Sequence, residues 1–252
     1  MQRTREGDLD RHRGNMKKQQ KQKKQKKSGS FARTTFPVLV ETPSPALAVK
    51  LDLGCGQNPK EGFEGVDLYG DKAKHKVDLF KFPWPFADDS VDEIFASHFL
   101  EHIPSREVEE RDLATHGTSW STTNPDGGPE MAQRRDKFLG QDMLFAFMDE
   151  CYRILKVGGW IEIVVPSGRS NRAFWDPTHR RFFMQETFCY FAREWREGQK
   201  LDHYRIKANL VGDVGQTMPQ EEGLRAAEVQ AERYKTLWNV TIDWWAKLKK
   251  LP

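Results

Sequence analysis

Leu51-Asp52-Leu53-Gly54-Cys55-Gly56 runs an apolar, strand-like segment straight into a Gly-x-Gly turn. Glycine at such a turn reaches positive φ and lets the backbone come close to a ligand. The N–H groups exposed there can hold an anionic group such as a carboxylate or phosphate. Two acids follow at ordered positions. Asp67, in Gly65-Val66-Asp67-Leu68, stands where an acid of a nucleotide-binding α/β fold accepts hydrogen bonds from ribose hydroxyls. Asp78, in Val77-Asp78-Leu79-Phe80, suits an adenine amino group, with Leu79 or Phe80 against the ring face. An ordinary loop acid is the alternative for Asp78.

Imidazoles and carboxylates recur further on. His98 and His102 are four apart and can share one helical face. A metal site needs a third ligand, and His98-Phe99-Leu100-Glu101-His102 is not His-Glu-x-x-His, so the spacing predicts no metal. His98 is a candidate general base, because a neutral imidazole accepts a proton near pH 7. Asp176-Pro177-Thr178-His179 offers Asp176 and His179 as an acid–base pair or as groups that orient a substrate. The alternative is an Asp/Pro turn opening a helix, capped by Asp176 or Thr178. Arg180, Arg181, Phe182 and Phe183 suit an anionic or aromatic substrate, or simply one wet and one packed face.

The elements that position these residues read as strands alternating with helices. Ala48–Leu53, Gly65–Leu68 and Val91–Ser97 are short apolar strands. Leu144–Leu155 places Leu144, Phe147, Met148, Cys151, Ile154 and Leu155 at helical spacing, and Lys156-Val157-Gly158-Gly159 is a helix stop. Trp160–Val165 is the clearest strand, ended by Pro166. This order predicts an α/β fold with a Rossmann-like, mainly parallel sheet and flanking helices. Alternation across Trp238–Trp244 predicts an antiparallel C-terminal edge, with helix over Thr241–Leu251 as the alternative. Ten residues separate Gly56 from Asp67, and Pro59 and Gly62 lie among them. A crossover with its helix takes about ten to twelve residues or more, so that helix is very short or missing.

With LDLGCG, GVD, VDLFKFPWPFADDSVDEIFASHFLEHI and ECYRILKVGGWIEIVVPS in this order, the chain resembles the class I S-adenosylmethionine-dependent methyltransferases. The nearest group is methyltransferase type 11. The resemblance covers about Val49–Ser167, with a weaker piece to about Phe188. It implies S-adenosyl-L-methionine as cofactor. Asp52, Gly54, Cys55 and Gly56 would line its methionine part. Asp67, with Leu68, would hold the ribose diol. Asp78 and Leu79 would hold the adenine. Ser97 and His98 would face the sulfonium and the substrate, and Glu101 and His102 would begin the next helix. A Pro-x-His element such as Pro177–His179 lies over the active site in related enzymes.

The expected activity is methyl transfer to an unidentified acceptor. An inactive cofactor-binding regulator and a nucleic-acid-associated protein are the alternatives. Methyl transfer from a sulfonium is an in-line displacement with a good leaving group. It needs alignment and sometimes removal of a proton, so no obligatory triad is expected. No Asn/Asp-Pro-Pro-Tyr block stands after Val91–Ser97, and no Pro-Cys pair offers a cytosine nucleophile. Exocyclic-amine and cytosine-C5 methylation of DNA are therefore disfavoured. The third glycine of the dinucleotide fingerprint is also missing, which disfavours a nicotinamide enzyme.

Charge divides the 252 residues unevenly. Residues 1–30 hold eleven Lys or Arg against three Asp or Glu; the remainder holds 29 against 34. Met16–Lys27 (MKKQQKQKKQKK) has no apolar face, so residues 1–33 are expected to be a disordered Lys/Gln-rich tail. The tail suits nucleic acid or another polyanion, or is merely solvated. Residues 34–252 form the expected methyltransferase domain, with a polar insertion at about 104–142 and substrate-side elements at about 168–230. No apolar run reaches the ~18 residues of a membrane span. Three cysteines without a close pair predict a reducing, cytoplasmic setting.

Overall fold

A computed structural model describes residues 48–114 and 137–252. The expected tail at 1–33 and the centre of the insertion lie outside these residues.

The described residues include six strands bounded by turns. They are β1 (Lys50–Leu53), β2 (Glu64–Val66), β3 (Val91–Ser97), β4 (Leu155–Pro166), β5 (Leu210–Thr217) and β6 (Asp243–Lys250). They join into one sheet in the order β2-β1-β3-β4-β6-β5. The β2, β1, β3 and β4 strands are parallel, and β4–β6 and β6–β5 are antiparallel. This is the expected Rossmann-like sheet with an antiparallel C-terminal edge.

Helix α1 (Met143–Ile154) starts where the Asp142 carboxylate accepts the Leu144 N–H at 2.9 Å. That bond satisfies one of the donors every helix start leaves open. Its apolar stripe, including Phe147, Cys151 and Ile154, is fully buried. Ile94, Ala96, Ile161, Ile163, Ala246 and Leu248 supply the sheet's part of the same core. Burying such side chains is worth about 1.5–3 kcal/mol each. The core also encloses ions. Glu150, fully buried, accepts the Trp84 N–H at 2.9 Å and pairs with Arg153.

The alternate residues of the strands face the other way and are only partly covered. Lys60 lies over the Phe95 ring at 3.6 Å and reaches Glu162 at 3.3 Å. Lys60 comes from the β1–β2 connection, which contains turns and no helix. The expected contraction is therefore present. Flanking helices do not include one here, because positive φ at Gly54, Gly56 and Gly62 breaks helical geometry three times within nine residues.

Three boundaries differ from expectation. Asp67 and Leu68 lie beyond the end of β2, in a turn. Helix α1 ends at Ile154, just before the expected stop at Lys156–Gly159, but β4 starts at Leu155 and not at Trp160: Leu155 pairs with Val91, and Trp160 with Glu93. The four residues bulge out, with Gly158 at φ 86°. The last strand begins at Asp243, five residues after Trp238. Asn239 at φ 59° and the bond from Trp238 Nε1 to Asn171 Oδ1 (2.6 Å) hold the preceding stretch in a turn. The strand reading of this region therefore holds and the helical alternative does not. Among the described residues, no helix is long and apolar enough to cross a membrane. Cys55, Cys151 and Cys189 are free thiols.

Candidate functional site

The chain leaves β1 for β2 on one side and returns to β3 on the other. Loops diverge at such a switch point, and a crevice opens at the carboxyl ends of the strands. The glycine loop leaves the end of β1 there, and Ser97 and His98 stand at the end of β3.

The loop is fastened by hydrogen bonds at both glycines. Gly54 N–H donates to Val66 O at 2.8 Å. Gly56 N–H donates to Asp67 Oδ2 at 3.0 Å. The other carboxylate oxygen, Oδ1, accepts from Tyr69 N–H and Gly70 N–H, both at 2.7 Å. Burial pushes the Asp67 carboxyl up. The Gly70, Tyr69 and Gly56 donors, aided by Lys76, outweigh it and hold the group below its ordinary value. A carboxylate has about four acceptor positions. Asp67, the acid expected at the ribose diol, fastens the loop with three of them.

Gly54 and Gly56 differ in what surrounds them. Gly54 has φ 71°, and a Cβ there would collide with the Phe99 ring. Gly56 has φ 54°, and a Cβ there would meet nothing within 4 Å. Open space thus adjoins Gly56, while Phe99 packs onto Gly54. Phe99 stacks in turn on Phe80, with centroids 5.6 Å apart.

Other residues of the expected cofactor set have different surroundings. Asp52 is buried, and its Oδ2 accepts the Lys60 N–H at 2.8 Å. Burial is the largest influence on this carboxyl and holds it above its ordinary value. It closes the contracted turn. The Cys55 thiol packs toward Gly65 and is pushed up to about 11, first by burial and then by the charges of Asp52 and Asp67. Asp78 Oδ1 accepts the Phe80 N–H at 3.0 Å in a local turn. Leu79 is buried in the core, where the Trp84 indole donates to its carbonyl at 3.3 Å. That side chain is closed to solvent; Leu68, at 40% exposure, is open to it.

His98 lies in the left-handed region at φ 52°, a conformation that turns the chain sharply off β3. Its N–H donates to Val164 O at 2.8 Å. Its Nε2 is 3.5 Å from Arg172 Nη2, and its Nδ1 is 3.3 Å from Glu101 Oε1. The expected helix from Glu101 is a single 3₁₀ turn, Leu100–His102.

Asp176 and His179 are not hydrogen-bonded to each other. Asp176 Oδ1 accepts the Thr178 N–H at 2.7 Å and the Thr178 hydroxyl at 2.6 Å. Thr178's two donors hold this exposed carboxyl below its ordinary value. His179 instead donates from Nδ1 to Ala173 O at 2.9 Å and turns Nε2 toward Glu101, 4.0 Å away. The turn alternative thus describes Asp176, although no helix follows it.

Sequence reasoning missed Phe99, Gly70 and Arg172. The apolar patch Phe174, Trp175, Phe182 and Trp238 was also not joined into one feature. The Phe174 and Phe182 rings stack 4.6 Å apart, with Trp238 at 5.8 Å from Phe174. Only an i, i+8 spacing of two aromatics hints at that stack.

No family model and no curated protein matches the sequence. Solved structures do. Among the solved chains it resembles are methyltransferases. An S-adenosylmethionine-dependent methyltransferase from Archaeoglobus fulgidus is 19% identical at a TM-score of 0.49, over 81% of this chain and 87% of that one. One from Mesorhizobium loti is 12% identical at 0.41, over 82% and 94%. A putative methyltransferase from Bacillus halodurans is 12% identical at 0.42, over 81% and 92%.

Proposed function

We propose that this protein is an S-adenosylmethionine-dependent methyltransferase acting on an unidentified acceptor. The observation that carries the reading is the loop Gly54–Gly56: positive φ at both glycines, an acid of the next turn bonded to Gly56 N–H, and open space beside Gly56 at the switch point. These features fit the cofactor. When bound, S-adenosylmethionine supplies an electrophilic methyl group on a sulfonium.

The chain's own residues have three tasks. The loop backbone, pinned by Asp67, accommodates the cofactor without reorganising. Asp67 and Leu68 stand at its ribose side. His98, held between Arg172 and Glu101, stands at the end of β3 on the acceptor side. Removal of a proton from an acceptor there requires Nε2 to exchange its 3.5 Å contact with Arg172 for the acceptor. The exposed stack of Phe174 and Phe182 supports an aromatic or apolar acceptor surface.

Calorimetric titration with S-adenosylmethionine and S-adenosylhomocysteine tests the reading. Micromolar binding is expected in the wild type, with loss of at least tenfold in Asp67→Ala. Unchanged affinity in that variant would remove the site assignment. Bound cofactor without turnover against broad acceptor pools would favour the inactive regulator.

A further inference from the structure

Glu101 is 1% exposed, and neither carboxylate oxygen has a hydrogen-bond partner. A buried carboxylate without hydrogen bonds is costly, and native proteins rarely leave one so. His98 Nδ1 faces Oε1 at 3.3 Å, and two further imidazoles stand beside it. One ligand atom from each of Glu101, His102 and His179 lies within 4.8 Å of the others. The two rings meet edge to face, with centroids 4.8 Å apart.

The hydrogen bonds around the rings select their tautomers. His179 Nδ1 faces the Ala173 carbonyl, which only accepts, so Nδ1 carries the hydrogen. In the neutral ring Nε2 then keeps its lone pair. The Thr178 hydroxyl donates to Asp176 Oδ1, so its oxygen accepts from His102 Nδ1 at 3.0 Å. His102 Nε2 likewise keeps its lone pair. His98 is fixed by the same logic: Arg172 only donates, so His98 Nε2 accepts and Nδ1–H faces Glu101. A ring whose far nitrogen donates to a carbonyl or a carboxylate relay is the usual support of a metal-ligating histidine.

We infer that Glu101, His102 and His179 form a binding site for a divalent first-row transition ion, with His98, Thr178 and Asp176 as supporting residues. The ion balances the buried carboxylate. Two imidazoles and one carboxylate leave open positions for water or an oxygen ligand, as in catalytic zinc and non-haem iron sites. Imidazole nitrogen suits zinc, copper, iron or nickel, whereas manganese, magnesium and calcium prefer oxygen ligands. Ligands about 2.1 Å from an ion at tetrahedral angles stand about 3.4 Å apart. The 4.0 Å between His179 Nε2 and Glu101 Oε1 therefore closes by a small side-chain movement.

The test uses the full chain stripped with a chelator and titrated calorimetrically with zinc, manganese or magnesium chloride alone. One equivalent of zinc is expected to bind more tightly than manganese or magnesium and to raise the melting temperature. Glu101→Gln and His179→Ala are expected to lose at least tenfold in affinity, while His203→Ala, outside the cluster, binds like the wild type. Anomalous diffraction from zinc-soaked wild-type crystals should place the ion between Glu101 and His179, whether or not the variants fold. No binding, equal binding in Glu101→Gln and His179→Ala, or an ion elsewhere would overturn the site. None of these readouts requires the methyl donor, so failure here leaves the proposed function standing.

Discussion

Asp67 Oδ2 accepts the Gly56 N–H at 3.0 Å, and this bond joins the end of β2 to the turn that ends β1. With the bonds from Tyr69 and Gly70, it makes one carboxylate the fastening of the cofactor loop. Hydrogen bonds to a charged group are worth about 1.5–3 kcal/mol each, and removal strands their partners. Asp67→Ala is expected to lower stability by about 2–4 kcal/mol in urea unfolding, as well as to weaken cofactor binding.

The same carboxyl carries a pH signature. Its pKa is lowered in the folded state, so its contribution is present above its unfolded value of about 4. The contribution is lost as pH falls through the folded value. The stability difference between wild type and Asp67→Asn should therefore shrink below pH 4; a difference constant from pH 7 to pH 3 would refute it.

The two glycines of the loop should respond differently to alanine. At Gly54 both the positive φ and the Phe99 ring oppose a methyl group. The expected cost is about 2–5 kcal/mol. At Gly56 only the backbone conformation opposes it, at about 1–2 kcal/mol. Thermal melts of Gly54→Ala, Gly56→Ala and Gly54→Ala with Phe99→Ala resolve the two terms, because removing the ring should relieve Gly54→Ala alone.

The Cys55 thiol, pushed up to about 11, is almost wholly protonated at pH 8. The thiolate is the nucleophile. Alkylation at Cys55, followed by peptide mass spectrometry, should stay slow at pH 8 and accelerate about tenfold per pH unit toward 10. Rapid labelling at pH 7 would contradict the burial described.

Thr178 links Asp176 to His102. Thr178→Val should weaken zinc binding about tenfold, with little change in melting temperature of the metal-free protein. Glu150 offers a contrast in the core. Glu150→Ala leaves Arg153 without its buried partner and should cost about 3–5 kcal/mol, with zinc affinity unaffected.

The local parts of the site were legible in the chain. A strand running into Gly-Cys-Gly, an acid after the next apolar run and a connection too short for a helix all depend on neighbours in sequence. Strand β3 was readable residue for residue for the same reason. The roles of Asp52 and Leu79 were less legible, because burial depends on what packs from elsewhere. Acid type and spacing alone do not distinguish a carboxylate that binds ribose from one that closes a turn.

The sequence by itself determined the loop, its acid and the alternation that builds a mainly parallel sheet, since backbone conformation and apolar periodicity are local properties. It could not assemble the Glu101 cluster. His-Phe-Leu-Glu-His fails as a metal motif, and the missing ligand comes from the segment after β4, whose Thr178 lies 76 positions from His102. Only the tertiary structure decided that Asp176 supports Thr178 and that His179 turns to Glu101. The reason is physical: parallel β3 and β4 end on the same edge of the sheet, so the turns that leave them meet, however far apart they are in the chain.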